Sequence, residues 1–189
     1  MRKLWHESAW EEYVAWQMED AKTLKRINLL LQSIYVIDRV PAWNKTDYDR
    51  AGKMPKFFAA DAGLVANCLG WNEEETFLDS DLSGKLIESW VYHEISAIAE
   101  CSTGRYAISH YRDKDKREID FIVSDGRENA LGIEVKAGGR VGKDDFKHLK
   151  WFAANLAKSS FTGIVLYSGD DVLPFGDGFY AVPLAALGA

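Results

Sequence analysis

"EIDFIVSDGRENALGIEVKAGG", residues 118–139, decides how this chain is to be read. Two apolar runs, IDFIV and ALGIEVKA, flank the polar segment DGREN, a composition that predicts a β-hairpin. The simplest antiparallel register sets Asp120 opposite Glu134 and Glu118 opposite Lys136. All four then share one face, while Ile119, Phe121, Val123, Leu131, Ile133 and Val135 share the other, the expected core face. Glu118 and Lys136 make a complementary pair. Asp120 and Glu134, by contrast, face each other across about 5 Å and repel by ~0.2 to 1 kcal/mol. A hard divalent cation compensates such a pair, because Mg²⁺ takes carboxylate oxygens and keeps several waters. Lys136, two residues beyond Glu134, is placed to serve a metal-side water or to stabilise charge on a reacting phosphate. An acid, a gap and E-x-K therefore suit phosphodiester hydrolysis. A solvent-facing hairpin with an incidental acidic pair fits the same residues, and both readings stay open at this point.

The surrounding chain gives the hairpin a setting. Residues 82–100, "LSGKLIESWVYHEISAIAE", carry Ile87, Val91, Ile95 and Ile98 as one helical stripe bordered by Glu88 and Glu94. "RYAISHYR" precedes the hairpin as a third strand candidate. "KDDFKHLKWFAANLA" follows as a helix and "FTGIVLYS" as an apolar strand. The order is helix, three strands, helix, strand: an α/β (α+β) fold with a mixed sheet and a core over about 83–168. Upstream, "SIYVIDRVPAW" is β-rich, "NKTDYDRAGKMP" is a polar loop, and "KFFAADAGLVANCLG" reads as a strand meeting a short helix capped by Asp61 and closed by Gly70. The first 34 residues form a helical appendage: a "KLWH" strand candidate, a capping box at Ser8 and Glu11, and a break near Asp20. The tail "FYAVPLAALGA" predicts a last strand and a frayed end.

Composition narrows the function classes. A chain of 189 residues, 47% hydrophobic and 28% charged, supports one domain with an appendage. Its net charge of -6 excludes a generally basic nucleic-acid coat. Any such contact must come from "YRDKDKR" (111–117) or "KDDFKHLK" (143–150), where Arg112, Lys114, Lys116, Arg117, Lys143 and Lys147 are the candidates. Taken alone, each cluster is better explained as a solvated charged face. Cys68 and Cys101 lack metal-ligand spacing and read as reduced thiols. Together with the lack of a long apolar stretch, they predict a cytoplasmic protein. His6, His93, His110 and His148 are read as strand or helix residues, His148 on a helix surface. Trp90, Trp151 and Phe152 are read as core packing.

"KMPKFFAADAGLVANCLG", "GKLIESWVYHEI", "HYRDKDKREIDFIV", "GIEVKAG" and "GIVLYSGDD…FYAVPL" together resemble the DUF4143 family, a domain that usually follows an AAA-type ATPase and is assigned to the PD-(D/E)XK, restriction-endonuclease-like superfamily. The resemblance covers about 34–187. It implies Glu88, Asp120 and Glu134 as metal ligands for Mg²⁺ or Mn²⁺, the Val135 carbonyl as a further ligand, Lys136 as the catalytic lysine, and a structural role for Glu94. It also implies a nucleic-acid substrate, with DNA favoured. No GxxxxGK[ST] phosphate loop occurs, so any ATP-driven role is expected to be lost or supplied by another chain. Residues 1–34 resemble the start of YoeB-type toxins of the RelE family, without a counterpart for their catalytic sheet. The expected division is thus 1–34 and 35–189, with the first segment packing on the second or mediating a homodimer. Two functions remain in view: a metal-dependent nuclease, and a non-catalytic binding module of the same fold.

Overall fold

The structure, a computed structural model, describes residues 20–44, 54–72, 74, 76, 79–126, 129–157 and 160–188. The KLWH segment, the Ser8 and Glu11 capping box and most of the NKTDYDRAGKMP loop lie outside the described residues. Helix α1 (Ala21–Ser33) starts at Asp20, whose Oδ1 accepts the N–H groups of Lys22 and Thr23. A helix therefore starts at the position where the break was expected, and the residues before it lie outside the described ones. Strands β1 (Ile37–Val40) and β2 (Lys56–Ala59) pair antiparallel as a two-stranded sheet. Helix α2 (Ala62–Leu69) is capped by Asp61 and closed by Gly70 at φ 70°, a left-handed conformation that glycine adopts without steric cost. Helix α3 (Ser80–Cys101) follows.

Six strands form the main sheet: β3 (Ala107–Arg112), β4 (Glu118–Ser124), β5 (Asn129–Lys136), β6 (Ser160–Tyr167), β7 (Leu173–Pro174) and β8 (Phe179–Pro183). Their order is β3-β4-β5-β6-β8-β7, antiparallel at both ends and parallel where β5, β6 and β8 meet. A 3-10 turn (Lys143–Phe146) and helix α4 (Lys147–Asn155) form the crossover from β5 to β6, and a second turn (Leu184–Gly188) ends the chain's described part. The mixed α/β sheet expected from the pattern is present. The two-residue β7 carried no periodic signal.

Helices cover both faces of this sheet. Val91, Tyr92 and Ile95 of α3 pack with Phe121, Ile133 and Leu166. Phe146, Leu149 and Phe152 pack with Ile119, Ile122 and Val165 on the other face. Ile98, expected in the α3 stripe, is half exposed.

The hairpin register is the expected one, with Phe121 opposite Ile133 and Ser124 opposite Ala130. The single-face arrangement is not. Against β3, Ser109 pairs with Ile122 but Tyr111 pairs with Ile119, so Asp120 and Phe121 together oppose His110 in a β-bulge. Two residues against one invert the alternation. Ile119 consequently joins the α4-side core and Phe121 the α3-side core. The hairpin is a buried central element, and its charged residues occupy one end of it.

Two glycines set the depth of α4. Gly132 and Gly163 are direct partners across β5 and β6, and Leu149 lies over both. A Cβ at Gly132 would stand 2.5 Å from Phe161 Cζ and 2.7 Å from Leu149 Cδ2. Gly132→Val is therefore expected to cost about 1–3 kcal/mol by overpacking, measured as a lower urea midpoint with unchanged denaturant slope.

Candidate functional site

The charged end of the hairpin meets α3, β2 and the β5–α4 connection. Lys56, the first residue of β2, sends its Nζ among three carboxylates: Glu88 Oε1 at 2.8 Å, Glu118 Oε1 at 3.0 Å and Asp120 Oδ1 at 3.2 Å. Asp120 Oδ2 accepts the Val135 N–H at 2.9 Å, which ties the bulged strand to β5 just past the last ladder pair. Asp120 is also hydrogen-bonded to Glu134, so it links the Lys56 group to the residues of β5.

On that second side, Lys136 Nζ donates to both oxygens of Asp145 at 2.7 Å. The expected Glu118–Lys136 pair does not form, because Glu118 contacts Lys56 and, at 3.9 Å, Arg112. His148 is not a bystander on the helix surface. Its Nδ1 lies 3.0 Å from the Glu118 carbonyl oxygen and 3.9 Å from Glu134 Oε1. In the tautomer that protonates Nδ1 this nitrogen donates to the Glu118 carbonyl, and in the other it accepts from the Glu118 N–H at 3.5 Å.

The electrostatics follow from a surplus of negative charge. Burial, then the neighbouring Asp120, pushes the Glu134 carboxyl up to about 9. The same two causes raise Glu88. Burial opposes the charge on Lys56, but Asp120, Glu88 and Glu118 outweigh it and hold the amine above the usual lysine range. Asp145 lies low, because the Gly142 N–H and Lys136 overcome the effect of burial.

A pH dependence follows. Folded Glu134 keeps its proton up to about pH 9, whereas an ordinary glutamate releases it near 4.5. Between these values the folded state holds the extra proton, so this group's contribution to stability is complete below about pH 4.5 and declines as pH rises to about 9. Glu134→Gln is expected to raise the melting temperature above wild type by an amount that grows with pH across that window. A constant difference at all pH values would contradict the assignment.

The donor set fits a hard divalent cation in kind, since all its oxygens are carboxylate. Its spacing is that of an ammonium complex. Among the described residues no three His, Cys, Asp or Glu side chains stand ready to hold a metal ion. The Glu88, Asp120 and Glu134 triad is brought together at one end of the hairpin, but Lys56 fills the space between two of its members. The sequence reading named Glu88, Asp120 and Glu134, which lie near one another here, and missed Lys56, Asp145 and the position of His148. Glu94 forms no part of the cluster.

The basic candidates separate into groups. Arg112 and Lys114 line a cavity of about 510 Å³ together with Ala42, Met54, Pro55 and His110, next to Lys56 and Glu118. Arg117 is engaged by Asp113 and Asp115 at 2.8 Å each and stacks 4.0 Å over Trp151. Lys116, at φ 62°, sits in the tight turn that Asp113 organises through the Asp115 and Arg117 N–H groups. Lys143 and Lys147 are exposed on the crossover.

Fold and site together define a mixed α/β domain with an acidic, lysine-filled centre at the end of its central hairpin. Residues 83–187 match the family described as "Domain of unknown function (DUF4143)", more than half of the chain, and the protein belongs to that family. Residues 14–75 match a second family, "Domain of unknown function (DUF8612)", a span that crosses residues 33 and 34. No curated protein and no solved structure matches the chain. Among the described residues no helix is long and apolar enough to cross a membrane.

Proposed function

We propose that the protein is a divalent-metal-dependent nuclease of the PD-(D/E)XK type that hydrolyses phosphodiester bonds in DNA. One observation carries this reading: Glu88, Glu118 and Asp120 share the single ammonium of Lys56, and Glu134 stands beside Asp120, its carboxyl raised first by burial and then by that neighbour. Structural ion pairs ordinarily balance, whereas a site built for a dication carries such a surplus. The resemblance of the E-x-K hairpin to that superfamily supports the same assignment.

In this reading Asp120, Glu134 and Glu88 would hold Mg²⁺ or Mn²⁺, which when bound supplies charge to stabilise the reacting phosphate and to activate water. Lys136, once released from Asp145, would orient the attacking water or meet the developing phosphate charge. His148 fixes the Glu118 backbone and lies beside Glu134. Arg112, Lys114, Lys116, Lys143 and Lys147 would contact flanking phosphates, which fix position without reading sequence. An ATPase on another chain and a homodimer through α1 remain part of the proposal. The YoeB-type likeness of residues 1–34 contributes nothing to it.

Incubating the full chain with plasmid, single-stranded DNA and RNA, in Mg²⁺ or Mn²⁺ against EDTA, tests the reading. Metal-dependent cleavage is expected, and none on any substrate would overturn it. A non-catalytic module is favoured by two contacts, Lys56 in the cation position and Lys136 held by both Asp145 oxygens. That alternative predicts nucleic-acid binding indifferent to Asp120→Asn and Lys136→Ala.

A further inference from the structure

The cavity of about 510 Å³ adjoins the carboxylate centre and shares Lys56 and Glu118 with it as wall residues. Its inner wall is made by buried Ala42 and His110. Backbone bonds fix that wall: the Trp43 N–H donates to the His110 carbonyl at 2.6 Å, and the His110 N–H to the Pro41 carbonyl at 3.0 Å. Half-buried Pro55 extends it, while Met54, Arg112 and Lys114 stand exposed at the mouth. His110 Nε2 lies 3.1 Å from the Met54 carbonyl oxygen, but its Nδ1 is buried with no hydrogen-bond partner among the described residues. Buried polar atoms left unsatisfied are uncommon, and this one belongs to a cavity wall.

The charge around the mouth is one-sided. Of the two acids in the lining, Asp113 is engaged by Arg117 and Glu118 by Lys56, which leaves Arg112 and Lys114 to set the local field. An apolar interior behind a basic mouth, of a size ordinary for small ligands, suits a flat ring with polar edges joined to a phosphate. A paired base is held in its stack and cannot enter such a space, so a base that enters must be unpaired.

We propose that this cavity receives one unstacked base of a DNA strand, with Arg112 and Lys114 on its phosphate, and that single-stranded or frayed DNA is therefore the substrate class. The inference rests on the nuclease reading above and adds strandedness to it. A base held against Ala42, Pro55 and His110 leads its strand past Lys56 and Glu118 to the carboxylate centre, because those two residues belong to both. A single strand offers its base freely, whereas a duplex must first break a pair and a stack.

Fluorescence anisotropy of a short DNA oligonucleotide, in EDTA so that nothing is cut, tests the inference with the full chain. The single strand is expected to bind at least about ten-fold more tightly than the same sequence as a duplex. An abasic nucleotide moved along the single strand should weaken binding several-fold at one position and little at the others. Ala42→Leu, which narrows the cavity, should remove both effects, and the abasic series needs no variant to fold. Replacing Arg112 and Lys114 by alanine should weaken the single strand and flatten its salt dependence. Equal affinity for single strand and duplex, with no sensitive abasic position, overturns the inference and leaves the nuclease reading standing. A retained single-strand preference without metal-dependent cleavage of any substrate overturns the nuclease reading and leaves the cavity assignment in place.

Discussion

Asp120→Asn is expected to lower metal-dependent cleavage by about a hundred-fold or more, because each well-placed metal contact contributes several kcal/mol of transition-state stabilisation. Asp120 touches both halves of the site, accepting from Lys56 and from the Val135 N–H beside Glu134. Asparagine retains a carbonyl oxygen for Val135, so the strand junction survives. What it loses is the charge, and with it the chief electrostatic influence of a neighbour on Glu134, whose carboxyl should titrate lower. Single-turnover cleavage, alongside a melting curve that shows a folded variant, measures the effect. Lys136→Ala should also lose cleavage yet keep Mn²⁺ affinity, since its amine contacts Asp145 rather than the carboxylate cluster. Equal cleavage by wild type and Asp120→Asn would remove Asp120 from the reaction.

The second large effect is one of stability. Phe121→Ala is expected to cost about 3–5 kcal/mol, the range for deleting a fully buried aromatic ring. Phe121 is completely buried, 5.5 Å from the Phe58 ring and 6.1 Å from that of Tyr92, so it joins β4 to β2 and α3. Against a typical domain stability of about 5–15 kcal/mol, that loss is a large share of the total. Urea unfolding should show a much lower midpoint. Because Phe121 follows Asp120 and packs on the strand that carries Lys56, the variant should also lose Mn²⁺ binding near temperatures where wild type retains it. A small change in midpoint would mean that the ring's cavity collapses.

How much of this was legible beforehand depended on range. The 121–133 pairing could be read because apolar alternation and a polar turn act within twenty residues. Asp61, Gly70 and the apolar stripe of α3 declared themselves through local capping and periodicity for the same reason. The bulge at Asp120 and Phe121 could not be read, since it exists only relative to His110 on another strand. Lys56 lay beyond reach too: its partners are 32 to 64 residues away, and an isolated lysine after a proline carries no periodic signal. His148 illustrates the converse. Its position on a charged helix suggested solvent, but Leu149 and the glycine pair beneath it draw that turn of α4 down onto the sheet.

The lysine and the acids it contacts fall in different family matches: Lys56 lies within the stretch matched to DUF8612, while Glu88, Glu118 and Asp120 lie within the DUF4143 stretch. Charge balance at the centre is thus a property of the combination. In this chain Lys56, from the leading segment, supplies the ammonium that three of those carboxylates share.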